Sequence, residues 1–188
     1  MKYIKGNIKV ISSLVLILVL VLAYIVITKN YQREKALNES AAGEVLNASG
    51  DNFSYTDIDG NPVSLKDYLG KILIVNSWAS WSPFSAAELG ELSSVVSEYN
   101  KEEIKVIAIN RAEPPTTAQR YLNTIANPEN IFLVIDKDDK FYKSISGYAM
   151  PETVFYDKRG QITHHNHGPM KREEIKLYLE QAIERSQQ

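Results

Sequence analysis

The chain of 188 residues contains no cysteine. This absence excludes disulfide bonds, thiolate metal ligands and every mechanism in which a thiolate is the nucleophile. It also removes the usual indication of a redox compartment, because a chain without thiols is compatible with any compartment. The location of the protein therefore has to be inferred from its topology.

An excess of positive charge is also lacking. The chain has 21 Lys and Arg against 23 Asp and Glu, for a formal net charge of -2. Its basic residues are scattered and form no cluster that would follow a phosphate backbone. We therefore expect no nucleic-acid partner.

What the chain does have, near its start, is an uncharged apolar run, Val10–Ile27. A run of this length nearly spans a hydrocarbon core as a helix. A cleaved secretory signal is the alternative, but the run is longer than such signals need and no small-residue cleavage site follows closely. We predict a tail at 1–9, a transmembrane helix at 10–28, a linker at 29–51 and a folded domain at 52–188.

The orientation of this anchor follows from the flanking basic residues. Lys2, Lys5, Lys9 and the free amine precede the run, and Lys29, Arg33 and Lys35 follow it. The positive-inside rule then gives a slight preference for a cytoplasmic amino terminus. We expect a single-pass membrane protein whose domain is extracytoplasmic.

The pattern of the folded part predicts an α/β domain. Alternating residues around Asp59-Gly60-Asn61 predict a hairpin, and three continuous apolar runs predict strands buried on both faces. The predicted elements are a hairpin in FSYTDIDGNPVSL, strands in KILIVNSW, IKVIAIN and IFLVID, a helix from after Trp81 to about Asn100 with Phe84 on its apolar face, a helix from Thr116 or Thr117, a hairpin in ETVFYDKRGQITHH, and a helix at about Lys171 to Arg185. This order implies a central mixed sheet flanked by helices.

Several motifs in this order resemble the TlpA/ResA-like, membrane-anchored thioredoxin family. WASWSPFSAAE, from Trp78 to Glu88, is similar to the family pattern W-A-S-W-C-x-x-C-x-x-E. FSYTDIDGNPVSLKDYLGK resembles its amino-terminal extension, and GYAMPETVFYDKRGQI resembles its cis-proline strand. The resemblance covers roughly residues 52–185 and implies a thioredoxin-like fold held outside the cytoplasm.

The resemblance places the family active site at Trp81, Ser82, Pro83, Phe84 and Ser85. Ser82 and Ser85 stand where the family has its two cysteines. A helix amino terminus contributes roughly 0.3–1 kcal/mol to an anion, which is far too little to ionise a serine hydroxyl. We therefore predict no redox-active residue and no disulfide exchange, and interpret Ser82 as a helix cap.

Two functional hypotheses follow from the resemblance. In the first, the retained site is a non-covalent groove for extended or unfolded polypeptide or for a specific protein partner, formed by the Met150-Pro151 edge and the Trp81–Phe84 surface. In the second, the chain is a Cys-to-Ser variant of an active oxidoreductase that matures secreted or haem proteins. A peroxidase is excluded, because it requires a peroxidatic cysteine.

The histidines suggest two other kinds of site. A hydrolase would need a histidine near Ser82, and nothing in the sequence brings His164, His165 or His167 there. On a strand His165 and His167 point the same way, which suits a transition metal, but no third ligand is identifiable. We expect neither a metal nor another cofactor.

The loop after the second buried strand is a further candidate. Arg111, Glu113 and the Pro114-Pro115 pair lie at an edge where loops of α/β folds gather. They either border a binding groove or form a rigid loop before a helix.

Overall fold

The computed structural model describes residues 19–30, 55–100 and 102–188. The chain divides into two compact units, which are residues 1–40 and residues 41–188.

Helical residues 19–30 (α1) belong to the first unit. Within the described part of the chain, no helix has both the length and the apolar character needed to cross a bilayer. The expected tail at 1–9 lies outside the described residues, as do the first part of the expected anchor at 10–28 and most of the expected linker at 29–51.

The second unit alternates strands and helices. Its strands are β1 Tyr55–Thr56, β2 Pro62–Val63, β3 Ile72–Trp78, β4 Ile104–Arg111, β5 Ile131–Asp136, β6 Glu152–Tyr156 and β7 Ile162–His167. Its α-helices are α2 Ser85–Val96, α3 Pro115–Leu122, α4 Lys140–Ser144 and α5 Arg172–Arg185, and short 3-10 helices occur at Leu65–Tyr68 and Pro128–Asn130.

All seven strands join one mixed sheet in the order β2-β1-β5-β4-β3-β6-β7. β3, β4 and β5 are parallel at its centre, and β6 and β7 add antiparallel strands beside β3. The β6–β7 ladder contains a register shift at Phe155/Tyr156. The mixed sheet flanked by helices that the sequence pattern predicts is confirmed.

Each face of the sheet packs its own core. Ile72, Ile74 and Trp78 of β3 contribute to the core shared with α2, α3 and α5. Leu73 and Val75 alternate with them and contribute to the core that holds Phe141 of α4 and the β1–β2 hairpin. This alternation explains the continuous apolar run, because both faces of β3 are covered.

The two predicted hairpins are present and close in the same way. In the first turn Asp57 accepts hydrogen bonds from the backbone of Asp59 and Asn61, and in the second Asp157 accepts them from Arg159 and Gln161. Gly60 and Gly160 take positive φ in these turns, which glycine adopts without steric cost.

Two helices differ from their expected extents. α2 ends at Val96, because the backbone N–H groups of Glu98 and Tyr99 turn to the carbonyls three residues back instead of four. α3 begins at Pro115, which needs no N–H partner in a first turn. The sequence pattern missed α4 because it is short and its N-cap residue, Asp139, adopts a left-handed conformation.

Candidate functional site

The loop between β3 and α2 leaves the sheet at the carboxyl end of β3, the edge at which α/β sheets bind ligands. Trp78 ends the strand; it is fully buried and stacks on Tyr121 of α3 with ring centroids 5.3 Å apart. The Tyr121 hydroxyl donates a hydrogen bond of 3.3 Å to the Ser82 carbonyl. One residue of α3 therefore positions both ends of this loop.

The two serines have different surroundings. Ser82 is almost completely buried, and its Oγ donates to the Met150 carbonyl at 3.4 Å, beside the cis Met150-Pro151 peptide bond. Ser85 is fully buried, and its Oγ has no hydrogen-bond partner among the described residues. The structure thus brings Ser82 to the Met150-Pro151 edge and turns Ser85 inward.

The interpretation of Ser82 as a helix cap is wrong. The N-cap residue of α2 is Phe84, no side chain caps this helix, and α2 begins at Ser85. Pro83 lies in the turn before the helix. The Ser82 hydroxyl is unsuited to capping because it is directed to the Met150 carbonyl.

Large aromatic side chains are exposed around this edge. Trp81 is 65% exposed, Phe84 52% and Tyr148 76%. Phe84 was expected on the buried face of the helix, but its position before the first turn of α2 turns it to solvent. Exposed aromatic groups beside an accessible backbone edge are typical of interaction surfaces.

Glu88 lies one turn into α2 and is fully buried. Its Oε1 accepts hydrogen bonds from Asn76 Nδ2 (2.9 Å) and Thr153 Oγ1 (2.5 Å), and its Oε2 accepts one from the Met170 N–H (2.6 Å). Burial raises the pKa of Glu88 to about 7, although these hydrogen bonds oppose the rise. Sequence reasoning assigned no role to Glu88, although the family pattern ends in a glutamate at this position and was the available signal.

Three buried polar atoms on the Glu88 side of the sheet have no partner among the described residues: Asn76 Oδ1, Trp78 Nε1 and Ser85 Oγ. An unpaired buried hydroxyl costs about 1–3 kcal/mol. A buried thiol behaves as a small hydrophobe and loses little in the same place. The surroundings of Ser85 therefore suit sulfur better than oxygen.

The loop after β4 also contacts the motif. Glu113 accepts hydrogen bonds from the Ser80 N–H (2.8 Å), the Ser80 hydroxyl (2.5 Å) and Asn110 Nδ2 (2.7 Å). Burial raises the pKa of Glu113, but these hydrogen bonds outweigh it and hold the pKa below its usual value. Arg111 faces elsewhere, paired with Asp139 and lying over the Tyr142 ring. Glu113 thus positions the loop, whereas Arg111 anchors α4.

His165 and His167 of β7 lie together, with ring centroids 4.2 Å apart. His165 Nε2 is 2.8 Å and His167 Nδ1 2.6 Å from Glu152 Oε2, and Glu152 is fully buried. Burial lowers the pKa of His165, and its hydrogen bond to Glu152 opposes this effect. The premise that no third ligand accompanies the histidines is wrong, because β6 brings Glu152 to them. His164 stacks on Tyr178 of α5.

Solved structures place this fold in the thioredoxin-like class. The chain is similar to a secreted Mycobacterium tuberculosis disulfide oxidoreductase homologous to Escherichia coli DsbE, with a TM-score of 0.60 and 20% identity over 71% of this chain and 97% of that one. The sequence profile of the AhpC/TSA family matches residues 47–165, more than half of the chain, and the chain belongs to this family.

Curated relatives extend along nearly the whole chain. The thiol-disulfide oxidoreductase ResA of Geobacillus kaustophilus is 24% identical over 169 residues, covering 90% of this chain and 92% of that protein. ResA of Geobacillus thermodenitrificans is 25% identical over 171 residues, covering 91% and 94%. The resemblance inferred from the motifs is confirmed, with serines where the family motif has cysteines.

Proposed function

We propose that this protein is a membrane-anchored, extracytoplasmic member of its family that binds extended polypeptide without exchanging disulfides. The observation that supports this most directly is the Ser82 contact to the Met150 carbonyl beside the cis Met150-Pro151 bond. The arrangement retains a backbone edge and its flanking aromatic groups in a chain without sulfur nucleophiles.

Loss of disulfide exchange follows from the chemistry of serine. Exchange requires a thiolate that attacks a disulfide and leaves again. A serine nucleophile requires an adjacent base, whereas the Ser82 hydroxyl donates to a carbonyl. Among the described residues, the hydrogen bonds of His165 and His167 go to Glu152. Neither redox nor hydrolytic turnover is expected here.

Polypeptide binding would use two features of the edge. The Met150 carbonyl, whose contact to the Ser82 hydroxyl is long at 3.4 Å, would offer an acceptor to an extended chain, as in recognition by strand addition. Trp81 and Phe84 offer apolar surface at low conformational cost, because aromatic side chains have few rotatable bonds. An extended segment with apolar or aromatic residues fits this chemistry.

A binding titration of the full chain tests this proposal. The probe is a fluorescent polypeptide kept unfolded by alkylation of its cysteines. We expect saturable binding that Trp81→Ala together with Phe84→Ala weakens about tenfold, or about 1.4 kcal/mol. The matched control is Phe132→Ala, a partly exposed aromatic residue on β5. Non-saturable binding, or equal loss in the control, rejects the proposed groove.

Membrane anchoring rests on the uncharged run Val10–Ile27 and its flanking lysines. We expect the full chain to stay with membranes after an alkaline wash and a chain lacking residues 1–28 to be released. In cells stripped of their cell envelope outside the cytoplasmic membrane, added protease should digest the domain. Protection of the domain under those conditions would contradict the extracytoplasmic placement.

A second candidate function is supported by Ser85 Oγ, a buried hydroxyl in a place that suits a thiol. In this alternative, the chain is a Cys-to-Ser variant of an active thiol-disulfide oxidoreductase, the activity that names its ResA relatives. We expect Ser82→Cys together with Ser85→Cys to reduce insulin with dithiothreitol as electron donor.

The control for this experiment is Ser94→Cys together with Ser97→Cys, a pair with the same spacing at the other end of α2. Reduction by the first pair and not by the second supports the alternative. An inert first pair rejects it, because positions 82 and 85 would then lack the surroundings that activate a thiol.

A further inference from the structure

Glu152 is the first residue of β6 and follows the cis Met150-Pro151 bond directly. Its side chain is fully buried, and its Oε1 accepts backbone hydrogen bonds from Tyr148 (2.8 Å) and Ala149 (2.7 Å). These two amides fix the orientation of the carboxylate and leave Oε2 facing the histidines. Outer hydrogen bonds of this kind orient metal-binding carboxylates in proteins.

The β6–β7 ladder brings the other two donors to Oε2. Glu152 lies directly opposite His167, and Val154 lies opposite His165. The side chains of Glu152, His165 and His167 therefore share one face of the sheet. Their donor atoms all lie within 4.8 Å of one another. Tyr148 stacks on the His167 ring at 4.3 Å and holds its plane.

The distances fit a small metal ion after a modest adjustment. A tetrahedral site with ligand bonds of about 2.0–2.1 Å separates its donor atoms by roughly 3.3 Å. The present separations from Oε2, 2.8 Å and 2.6 Å, are those of hydrogen bonds. The half-buried imidazoles, with 21% and 32% side-chain exposure, have room to move outward.

The charge and donor types favour a divalent transition metal. Among the described residues, the ion-pair partners of Glu152 are these two histidines, so a divalent ion would add charge that compensates the buried carboxylate. Two imidazoles and one carboxylate suit Zn²⁺, whereas Mg²⁺ prefers oxygen donors.

We propose that Glu152, His165 and His167 form a site for one divalent transition metal ion, with Zn²⁺ as the expected occupant and a fourth position open to water. This site is separate from the serine pair and does not depend on polypeptide binding. It lies on the face of the sheet opposite the Glu88 network.

Zn²⁺ titration of the full chain, without a polyhistidine tag and in competition with a chromophoric chelator, tests the site. We expect one Zn²⁺ per chain and no competition from excess Mg²⁺. Glu152→Gln and His167→Gln should each weaken binding at least about 100-fold, because losing even a hydrogen-bond partner of a metal ligand costs up to about that factor. Co²⁺ should give the strong visible absorption of a four-coordinate site in the wild type and not in these two variants.

The matched control is His164→Gln, on the same strand but stacked on Tyr178 across the sheet. This variant should bind Zn²⁺ with unchanged affinity. Equal loss in His164→Gln and His167→Gln would show a loose collection of surface histidines and overturn the site, as would unchanged affinity in Glu152→Gln. Far-UV circular dichroism verifies that each variant is folded. If Glu152→Gln does not fold, the Zn²⁺ affinity of His167→Gln, on the partly exposed edge strand, tests the site instead.

Discussion

Each face of β6 contacts a buried carboxyl group, and the two groups have different hydrogen-bond partners. On one face Thr153 joins the network around Glu88, whose donors are a hydroxyl, an amide side chain and a backbone N–H. On the other face Glu152 is held by two backbone amides and two imidazoles. Both carboxyl groups are fully buried.

The difference lies in whether the partners can change charge. Neutral donors cannot compensate a carboxylate completely, and burial raises the pKa of Glu88 to about 7. Imidazoles can be protonated or bind a cation. The neutral donors around Glu88 therefore leave its pKa raised. The imidazoles beside Glu152 are instead partners that can share a metal ion with it.

Removal of the Glu88 side chain should have the largest effect. Glu88→Ala leaves a cavity and deprives the Met170 N–H and the Thr153 hydroxyl of their acceptor. We expect a loss of about 3–4 kcal/mol in the free energy of unfolding, measured with urea below about pH 5, where the contribution of Glu88 is retained. Glu91→Ala, an exposed acid on the same helix, should cost less than about 1 kcal/mol. Equal losses would show that the network is not buried as described.

The next effect is a pH dependence specific to Glu88. Its folded-state pKa of about 7 lies above the ordinary 4.5, so its contribution to stability is complete below about pH 4.5 and is lost as the pH rises through about 7. The loss should be roughly 3 kcal/mol, from 1.36 kcal/mol per pKa unit. Urea unfolding of the wild type and Glu88→Gln, with a chelator present, should show a shallower pH profile in the variant. Parallel profiles would refute the raised pKa.

Glu152→Ala should cost less than Glu88→Ala, about 2 kcal/mol, because water can reach the partly exposed histidines that it leaves. The amides of Tyr148 and Ala149 should exchange hydrogen faster in this variant. Glu152→Gln keeps an acceptor for these amides and should preserve most of their protection. Unchanged hydrogen exchange of these two amides in Glu152→Ala would contradict their hydrogen bonds to Glu152.

The smallest effect concerns Ser85. Ser85→Ala removes an unpartnered buried hydroxyl and should stabilise the protein by about 1 kcal/mol. Ser82→Ala removes only the long contact to Met150 and should change the stability by less than about 0.5 kcal/mol. Destabilisation by Ser85→Ala would show that this hydroxyl has a partner in solution.

Hydrophobic periodicity predicted the sheet strands, both hairpins and α5, because these elements bury regular patterns of apolar residues. It failed at α4, which is one turn long, and at Phe84, where the start of α2 had to be known to within a residue. The roles of Glu88 and Glu152 depend on partners from other strands. Only the sequence motif pointed to Glu88, and no local pattern joined Glu152 to the histidines.

The register shift in the β6–β7 ladder decides what Glu152 faces. A ladder continued regularly from the Tyr156–Ile162 pair would place Asn166 across from Glu152 and send His165 and His167 to the α5 side. His164 would then stand near the carboxylate as a lone imidazole. One extra residue in an edge strand thus converts a site with a single nitrogen donor into one with two.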